Sequence, residues 1–512
     1  MKTLKYLKPL MATGTMLLAA TGFAQQDSKP NIVLIYADDI GYGDLSCYGA
    51  TRVETPNVDK VARDGIRFLN AHSAAATSTP SRYGLFTGEY PWRRKGTGVA
   101  AGDAALIINP ERYTLPKMLQ EAGYTTGAVG KWHLGLGNKM GSQDWNGRVS
   151  PGPNEIGFDY SYIMAATGDR VPCVYLENQR AVNLDSKDPI QVSYTKNFPG
   201  EPTGKDNPEL LTKLKPSHGH DMSIVNGISR IGYMKGGKSA LWVDENIADS
   251  ITSHAVEFIN ANKHKPFFLY FGTNDIHVPR YPHARFAGKT GMGPRGDAIL
   301  QFDWSVGEVI KALEEAGIRD NTLIIITSDN GPVVDDGYQD EAEEKLKDHK
   351  PWGPFRGGKY STFEAGTRVP FIVNWNGNIS PDESDALVSQ IDMLSTLANL
   401  VKVDVSSKQE LDSQNQLSAW LGKERYGRDY VVGSASSLTI LTNDWKYIEP
   451  NKGAAYNPST NTELGNNFQD QLYDIKHDRG EYDNVAKDNM LIVRFLKSVL
   501  EEEKAKGIGL EL

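Results

Sequence analysis

The sequence is poor in cysteine, has no excess of positive charge, and contains no internal repeat or low-complexity tract. Cys47 and Cys173 are the only cysteines among 512 residues, so the fold does not depend on a framework of disulfides. Whether these two cysteines pair is left open. The formal net charge is −9, and an acidic chain is not expected to bind nucleic acid. A cluster of cations inside a cleft is still compatible with a small anionic substrate.

The N-terminus has the pattern of an export signal, predicted at residues 1–24. Three lysines lie among the first eight residues, an apolar stretch follows, and Gly22 and Ala24 supply the small residues that a signal peptidase needs. The apolar stretch is too short and too interrupted for a stable membrane anchor. We therefore expect an exported protein, periplasmic or secreted. Loss of the three lysines would lower its net charge from −9 to −12.

Short apolar runs alternate with helical patterns along most of the chain. Buried strands are predicted at 31–37, 125–129, 266–271, 323–327 and 369–375, and helices at 55–64, 114–122 and 244–262. Strands that alternate with helices imply an α/β fold with a large, mostly parallel sheet covered by helices on both faces.

The pattern changes near residue 401. Residues 406–427 are polar, short strands follow at 430–432, 438–442 and 445–448, and an amphipathic helix is predicted at 491–506. We predict a catalytic domain at 25–405 and a smaller α+β subdomain at 406–512. Residues 184–215 are rich in Pro and Asn and are predicted to form a surface excursion near the site.

Polar residues gather where the predicted strands end. They are Asp38 and Asp39, Lys131 with His133, Asn274 to His277, and Asp329 with Asn330. The carboxyl ends of parallel strands meet at one edge of a sheet, where ligands bind in open α/β folds. We therefore expect a functional site at this edge.

Asp38 and Asp39, with Asp329 and Asn330, would supply only carboxylate and amide oxygens to a metal ion. Such hard ligands suit Ca²⁺ or Mg²⁺ rather than Zn²⁺ or Cu²⁺. The triplet at 329–331 is also a common turn sequence, so either pair alone is weak evidence. Two pairs on adjacent strand ends together favour a metal site.

The segment Ser78-Thr79-Pro80-Ser81-Arg82 precedes Thr87-Gly88. By itself, a Ser/Pro segment before a short helix commonly caps that helix. The segment, however, resembles the signature of the type I sulfatases, in which Cys or Ser is followed by x-Pro-Ser-Arg and later by Thr-Gly. Further blocks resemble other segments of that family: 30–49, 130–135, 277–279, 327–331, 356–359, 364–366 and 472–474.

The resemblance implies an alkaline-phosphatase-like fold and a sulfuric ester hydrolase. It also implies that Ser78 is oxidised to Cα-formylglycine by a radical maturing enzyme of anaerobic bacteria, because the aerobic oxidase acts on cysteine. The hydrate of that aldehyde attacks sulfur with one hydroxyl and expels sulfate with the other. A plain serine would instead become a sulfated serine that needs a second displacement.

The resemblance assigns roles to particular residues. The predicted catalytic residues are Ser78, Arg82, Lys131, His133, His277 and Lys359, and the predicted Ca²⁺ ligands are Asp38, Asp39, Ser78, Asp329 and Asn330. Arg82, Lys131 and His133 would hold the nucleophile, while Lys359 and His277 contact sulfate. His277 is favoured as the proton donor to the leaving oxygen, and Asp329 is expected to take the proton from the attacking hydroxyl.

Substrate contacts are predicted from loop residues. Asp169, Arg170 and His220 are predicted to bind the sugar, because Arg can donate a hydrogen bond to one hydroxyl while Asp accepts one from its neighbour. The alternative for Asp169 and Arg170 is a surface ion pair. Further candidates are Trp92, Arg93, Arg94, Glu177, Arg180 and His218. The chain resembles the arylsulfatase A-like and galactosamine-6-sulfatase-like branch of gut anaerobes, which implies a terminal sulfated galactose or N-acetylgalactosamine of a host or algal glycan. We favour 6-O over 4-O or 3-O sulfate.

Two other functions are considered. A phosphomonoester or phosphonate hydrolase of the same superfamily would share the fold, but that branch uses two metals and an unmodified Ser or Thr. A silent glycan-binding protein would be expected to have lost a lysine, a histidine or a metal carboxylate, and this chain keeps them all.

Overall fold

The computed structural model describes residues 29–408 and 412–512. The predicted export signal at 1–24 lies outside these residues. The β-strands are β1 (Asn31–Ala37), β2 (Ile66–Phe68), β3 (Ala71–His72), β4 (Thr125–Lys131), β5 (Tyr160–Met164), β6 (Tyr175–Glu177), β7 (Arg180–Ala181), β8 (Gln191–Ser193), β9 (Ile224–Val225), β10 (Ile228–Ser229), β11 (Tyr233–Lys235), β12 (Phe267–Gly272), β13 (Thr322–Ser328), β14 (Phe371–Asn374), β15 (Asp382–Ser384), β16 (Val388–Ser389), β17 (Val431–Ser434), β18 (Leu438–Leu441), β19 (Trp445–Ile448) and β20 (Gln471–Asp474). The α-helices are α1 (Pro56–Arg63), α2 (Ser78–Thr87), α3 (Leu115–Glu121), α4 (Ile247–Asn262), α5 (Gly293–Glu315), α6 (Ala342–Leu346), α7 (Glu364–Thr367), α8 (Met393–Val401), α9 (Leu417–Trp420) and α10 (Met490–Ala505).

A ten-stranded sheet forms the centre of the molecule, in the order β15-β2-β14-β13-β1-β12-β4-β5-β6-β7. The central strands β13, β1, β12, β4 and β5 run parallel to one another. The predicted α/β fold with a mostly parallel sheet is therefore confirmed. The strand predicted at 369–375 is β14, and it pairs antiparallel with β13 rather than parallel.

Helices cover both faces of this sheet. Phe267 of β12 packs edge-on against Phe258 of α4, whereas Tyr270 packs against Phe86 of α2. Residues three apart on a strand point to opposite faces, so α4 and α2 lie on opposite sides. Because both faces are covered, every residue of β1 is buried.

A second, smaller sheet is an antiparallel meander of β17, β18, β19 and β20. Leu496 and Leu500 of α10 belong to the same core as Ile440 and Tyr447 of this sheet. Trp420 of α9, which precedes the meander, packs instead against Phe371 of the large sheet. The domain boundary at 405/406 stays a prediction.

Cys47 and Cys173 both lie within residues 29–408 and are unpaired, which answers the question left open by the sequence. Among the described helices, none combines the length and the apolarity required to cross a bilayer.

Candidate active site

Four strand ends deliver charged residues to one edge of the large sheet. β13, β1, β12 and β4 are consecutive parallel neighbours, so their carboxyl ends lie side by side. Asp38 and Asp39 follow β1, and Asp329 follows β13. Lys131 ends β4, and His277 lies in the loop after β12. All five side chains are buried.

Ser78 is the first residue of α2, and the helix carries it into this edge. Its hydroxyl donates a 2.6 Å hydrogen bond to Asp329 Oδ2. Thr77 occupies the N-cap position, and α2 has no side-chain capping bond. Ser78 therefore does not act as the helix cap that its local sequence suggested.

Two cations hold the oxygen of Ser78 and its carboxylate neighbours. Lys131 Nζ donates to Ser78 Oγ at 2.8 Å and to Asp38 Oδ2 at 2.7 Å. The guanidinium of Arg82 donates to Asp329 Oδ2 at 2.8 Å and also to the Tyr270 hydroxyl. Burial acts to lower the pKa of Arg82, but Tyr270 and Asp329 outweigh it and raise that pKa.

The oxygens of Asp38, Asp39, Asp329 and Asn330 converge beside Ser78. Ser78 Oγ lies 3.4 Å from both Asp38 Oδ1 and Asn330 Oδ1, and the Asp39 amide donates to Asp329 Oδ1 at 3.2 Å. Asn330 Nδ2 donates to Asp39 Oδ1 at 2.7 Å, which leaves the Asn330 carbonyl oxygen facing Ser78.

This oxygen cluster fits a calcium ion. Burial raises the pKa of Asp38 to about 8 against the opposing effect of Lys131, and the carboxylates of Asp329 and Asp39 add to the rise. A bound divalent cation would remove this repulsion. Donor atoms of Asp38, Asp39 and His277 lie within 4.8 Å of one another, but oxygen donors are the ligands that calcium prefers. Asn330 is therefore a better fourth ligand than His277.

Lys359 approaches from the other side of Asp39. Its ammonium donates to Asp39 Oδ2 at 2.9 Å and to Asp336 Oδ2 at 2.8 Å. Burial acts to lower its pKa, but the two carboxylates outweigh burial and raise that pKa well above the ordinary value. Lys359 is therefore a permanent cation at this site.

His133 and His277 each have one ring nitrogen fixed by a backbone carbonyl. His133 Nε2 donates to Ala100 O at 3.0 Å, and its Nδ1 is buried with no partner among the described residues. His277 Nδ1 donates to Val278 O at 2.7 Å, so Nε2 is the ring nitrogen left to accept a hydrogen bond. Burial lowers both pKa values, with a further contribution from Lys131 and Arg170 at His133 and from Lys359 and Lys131 at His277, and the pKa of His277 falls to about 4. Both rings are therefore neutral hydrogen-bond acceptors near neutral pH.

A small cavity of about 80 Å³ opens onto Ser78. Its lining residues are Thr77, Ser78, Val99, His133, Asp169, Arg170, His220, Ile231, His277, Asp336, Lys359 and Tyr360. The structure thus brings Asp169, Arg170 and His220, the three residues predicted to bind the sugar, to the cavity that contains Ser78.

Asp169, Arg170 and His220 form a hydrogen-bonded group in this cavity. Arg170 donates to Asp169 Oδ1 at 3.0 Å, and His220 Nε2 donates to Asp169 Oδ2 at 2.9 Å. Burial opposes both shifts, yet Arg170 lowers the pKa of Asp169, and the hydrogen bond to Asp169 raises the pKa of His220. Asp169 is 2% exposed, so the group is not a surface ion pair.

The other loop candidates lie elsewhere. Arg93 pairs with Asp412 and with Glu503 of α10, and Trp92 stacks under its guanidinium. The remaining candidates make other contacts: Arg94 with Glu89, Glu177 with Tyr160, Arg180 with Glu177 across a strand pair, and His218 with Ser217. None of these residues lines the cavity at Ser78.

Asp336 and Tyr360 line the cavity but were not predicted. Asp336 lies in an acidic stretch that resembles a turn, and Tyr360 directly follows the Lys359 block. Adjacency to Lys359 was the available signal for Tyr360. For Asp336 no local pattern distinguishes a site residue from a solvated acid.

The sulfatase family model matches residues 30–403, which include every candidate site residue. The chain belongs to the sulfatase family. It is 52% identical to an N-acetylgalactosamine-6-O-sulfatase of Bacteroides thetaiotaomicron, over 99% of this chain and 100% of that one. It is also 29% identical to human arylsulfatase A, over 93% and 87% of the two chains.

Solved structures agree with this membership. A structure from work on the metabolism of multiple glycosaminoglycans by Bacteroides thetaiotaomicron matches with a TM-score of 0.92 and 54% identity, covering 93% of this chain and 100% of that chain. The protein is thus a sulfatase, an enzyme that hydrolyses sulfate esters.

Proposed function

We propose that this sulfatase removes an O-sulfate from a sugar of a glycan, with formylglycine derived from Ser78 as its nucleophile and Ca²⁺ as its metal. One observation carries the proposal. The Ser78 hydroxyl lies where an anion, Asp329, and a cation, Lys131, both bind it, at 2.6 and 2.8 Å. A serine that served only to pack α2 would not need either partner.

Each group around residue 78 has a proposed task. Lys131 would hold an oxygen of residue 78, and Asp329 would take the proton that the attacking hydroxyl releases. His133 would accept a hydrogen bond from a hydroxyl of residue 78 at Nδ1, which has no partner in the part of the chain that the structure describes. Arg82 would keep Asp329 ionised and in place.

Two groups would supply the remaining chemistry. Calcium, held by Asp38, Asp39, Asp329 and Asn330 together with residue 78, would act as a Lewis acid toward a sulfate oxygen. Formylglycine would supply a hydroxyl for attack on sulfur and a second hydroxyl for the release of sulfate. The all-oxygen ligand set supports calcium over zinc.

Lys359 would bind the sulfate group, and His277 would protonate the leaving group. Two of the three ammonium protons of Lys359 bind Asp39 and Asp336, so one remains for a sulfate oxygen. His277 presents Nε2 to the cavity and is neutral in the free site. We propose that Nε2 takes up a proton from solvent when the anionic sulfate ester binds, because that negative charge favours the protonated ring, and that it passes this proton to the departing sugar oxygen. Fixed cations around a transferring anionic group stabilise its transition state.

For the sugar, we propose a terminal galactose or N-acetylgalactosamine of a host or algal glycan, with 6-O-sulfate favoured over 4-O or 3-O. Support for 6-O comes from the 52% identical relative that is named an N-acetylgalactosamine-6-O-sulfatase. Asp169, Arg170 and His220 would bind hydroxyls of that sugar, since together they offer acceptors and donors side by side.

The decisive experiment is mass spectrometry of the peptide containing Ser78, from protein of the native organism. We expect the loss of two hydrogens relative to serine, and active enzyme with unmodified Ser78 would refute the mechanism. The N-terminal peptide of the same protein sample tests export, since we propose cleavage after Ala24 and a periplasmic or secreted enzyme.

The proposed maturation partner is a radical enzyme that converts serine. In a host with only the aerobic cysteine oxidase, wild-type protein should stay unconverted, whereas the Ser78→Cys variant should gain formylglycine and sulfatase activity. Matured protein should also cleave sulfate esters far faster than the matching phosphate esters. Preference for phosphate would favour a phosphatase, and glycan binding without turnover would favour a silent binding protein.

A further inference from the structure

Tyr360 shares the carboxylate of Asp336 with Lys359. The Tyr360 hydroxyl donates to Asp336 Oδ1 at 3.0 Å, and the Lys359 ammonium donates to Asp336 Oδ2 at 2.8 Å. Asp336 is 8% exposed, and all three residues line the cavity at Ser78. One buried carboxylate therefore fixes both a cation and a phenol beside the nucleophile position.

The backbone at Tyr360 is held in a conformation that a bulky residue rarely adopts. Its φ is 76°, in the left-handed region. The Tyr360 amide donates to Ala76 O at 2.9 Å, and the Lys359 amide donates to Pro332 O at 2.8 Å. Such strain persists where the surrounding structure enforces it, commonly at functional sites. Tyr360, in this conformation, lines the cavity at Ser78.

The loop that carries Asp336 also contacts the Asp169 group. The backbone of Gly337 packs so closely on the His220 ring that a Cβ atom at this position would lie only 2.2 Å from it. The ring centroid of Tyr338 lies 4.9 Å from that of His220. Asp336 and His220 are thus fixed relative to each other. A ligand in the cavity meets the Tyr360 phenol and the Asp169 group together.

The hydrogen bond to Asp336 decides what Tyr360 can recognise. Its single proton is directed at the carboxylate, and burial raises the pKa of the phenol, so that proton stays in place. The phenol oxygen then has only acceptor capacity left. It therefore suits a donor on the ligand.

We propose that Tyr360, held by Asp336, is a specificity-determining residue that accepts a hydrogen bond from a hydroxyl or an acetamido N–H of the sulfated sugar. The inference rests on the proposed function, because it needs a sugar sulfate in this cavity. It extends that function by adding a donor-selective contact to the Asp169 group.

The test compares Tyr360→Phe with wild type on galactose 6-sulfate, N-acetylgalactosamine 6-sulfate and 4-nitrophenyl sulfate, using matured enzyme. The ratio of kcat/KM for sugar sulfate to that for aryl sulfate should fall about tenfold, as expected for one lost hydrogen bond in a buried site. If this ratio falls for both sugar sulfates, the donor to Tyr360 is a hydroxyl that both sugars carry. If it falls only for N-acetylgalactosamine 6-sulfate, the donor is the acetamido N–H.

Tyr124→Phe is the matched control. The Tyr124 hydroxyl donates to Pro30 O, at the opposite edge of the sheet, so this variant loses a comparable bond and should keep the ratio. Asp336→Asn should lower kcat/KM for all three esters, because it also releases Lys359. A wild-type ratio in Tyr360→Phe would overturn the proposal.

A binding measurement separates this inference from the proposed chemistry. Unconverted Ser78 protein should bind N-acetylgalactosamine 6-sulfate in calorimetry, and Tyr360→Phe should raise the Kd about tenfold. An unchanged Kd would count against Tyr360. Wild-type enzyme that binds the sugar sulfate and cleaves no ester would count against the proposed chemistry and leave the binding result decisive for Tyr360.

Discussion

At the scale of single residues, defined hydrogen-bond partners fix the polar groups around Ser78. The hydroxyl of Ser78 accepts a hydrogen bond from Lys131 and donates one to Asp329. His133 and His277 each lose one ring nitrogen to a carbonyl, so each presents one nitrogen for chemistry. Mutations at these positions should therefore separate individual chemical steps.

His277→Gln tests the proton donor. Sugar alcohols are poor leaving groups, so kcat with N-acetylgalactosamine 6-sulfate should fall by about 10²- to 10⁴-fold. With 4-nitrophenyl sulfate, whose leaving group needs little protonation, the fall should be much smaller. Steady-state kinetics of matured enzyme measures both, and equal losses on the two esters would show that His277 serves binding instead.

The His220–Asp169 pair predicts a pH dependence of stability. The pKa of His220 is raised above its ordinary 6.5 by the hydrogen bond to Asp169. The pair therefore stabilises the fold fully below that ordinary value, and this contribution is lost as pH rises through the higher folded-state value. Urea unfolding of wild type and His220→Gln, from about pH 5 to about pH 9, should show a difference that shrinks with pH.

Asp169→Asn should abolish the same trend, because it removes the carboxylate that raises the pKa of His220. A difference between wild type and His220→Gln that stays constant over the whole range would contradict the assignment. Protonation of Asp169 does not interfere in this window, since its pKa lies well below its usual value.

At the scale of elements, parallel strands determine where the proposed metal ligands meet. Asp39 follows β1 and Asp329 follows β13, and the two strands are hydrogen-bonded over their whole length. Asp39 and Asp329 are 290 positions apart in sequence, and the Asp39 amide donates a hydrogen bond to Asp329. The pairing of their two strands, rather than a flexible loop, fixes the position of these proposed ligands.

Removal of calcium tests this arrangement. Stripping with a chelator should abolish turnover and lower the Tm, and added calcium should restore both. At about 100 times its Kd, calcium should stabilise the fold by about 2.7 kcal/mol. Asp39→Asn should lose that thermal response, whereas Asp159→Asn, at the opposite end of the sheet beside Thr126, should keep it. If the Tm of wild type is the same with and without calcium, the proposed metal site is refuted.

Residues 356–366, here termed the Lys359 segment, are held by the C-terminal part of the chain. Glu481 Oε2 accepts from the Glu364 amide at 2.6 Å, and the Glu481 carbonyl accepts from Arg356 at 2.6 Å. Arg356 also pairs with Glu463, and Thr362 bonds to Leu464 O. The smaller sheet and its loops thereby position Lys359.

Glu481→Ala should therefore lower both stability, by about 1–3 kcal/mol, and kcat. Glu481→Gln keeps the acceptor oxygen and should retain most of the activity. The control is Glu449→Ala, which breaks contacts to Lys504 and Leu438 away from the Lys359 segment and should lower stability alone. Loss of stability in Glu481→Ala with unchanged kcat would show a purely structural role.

At the scale of the molecule, the sequence predicts those parts that local patterns control. Apolar runs identified β1, β12 and β13, and a helix at 244–262 appears as α4 preceded by a 3-10 turn at Asp244–Asn246. The proposed metal ligands and the proposed nucleophile were identified from polar residues at strand ends and from a specific motif, and the structure brings these residues together. These features depend on neighbours in the chain.

Other features depend on contacts between distant segments and escaped prediction. α5 has buried polar residues such as Asp297 and Asp303 on its inner side, which obscure its amphipathic pattern. The antiparallel direction of β14 depends on the path of the preceding loop. The contact of Asp169 with His220 joins two irregular segments that carry no periodicity.

The burial of α2 has a consequence for the order of events during biogenesis. Every residue of this helix is buried, and Ser78 is 2% exposed. If Ser78 is oxidised as proposed, the maturing enzyme can reach it only before the chain folds. A peptide spanning residues 77–88 should then be a substrate for the maturing enzyme, whereas the folded protein with Ser78 should not be. Cells would therefore have to convert each molecule before it folds. A molecule that folded first would remain inactive permanently.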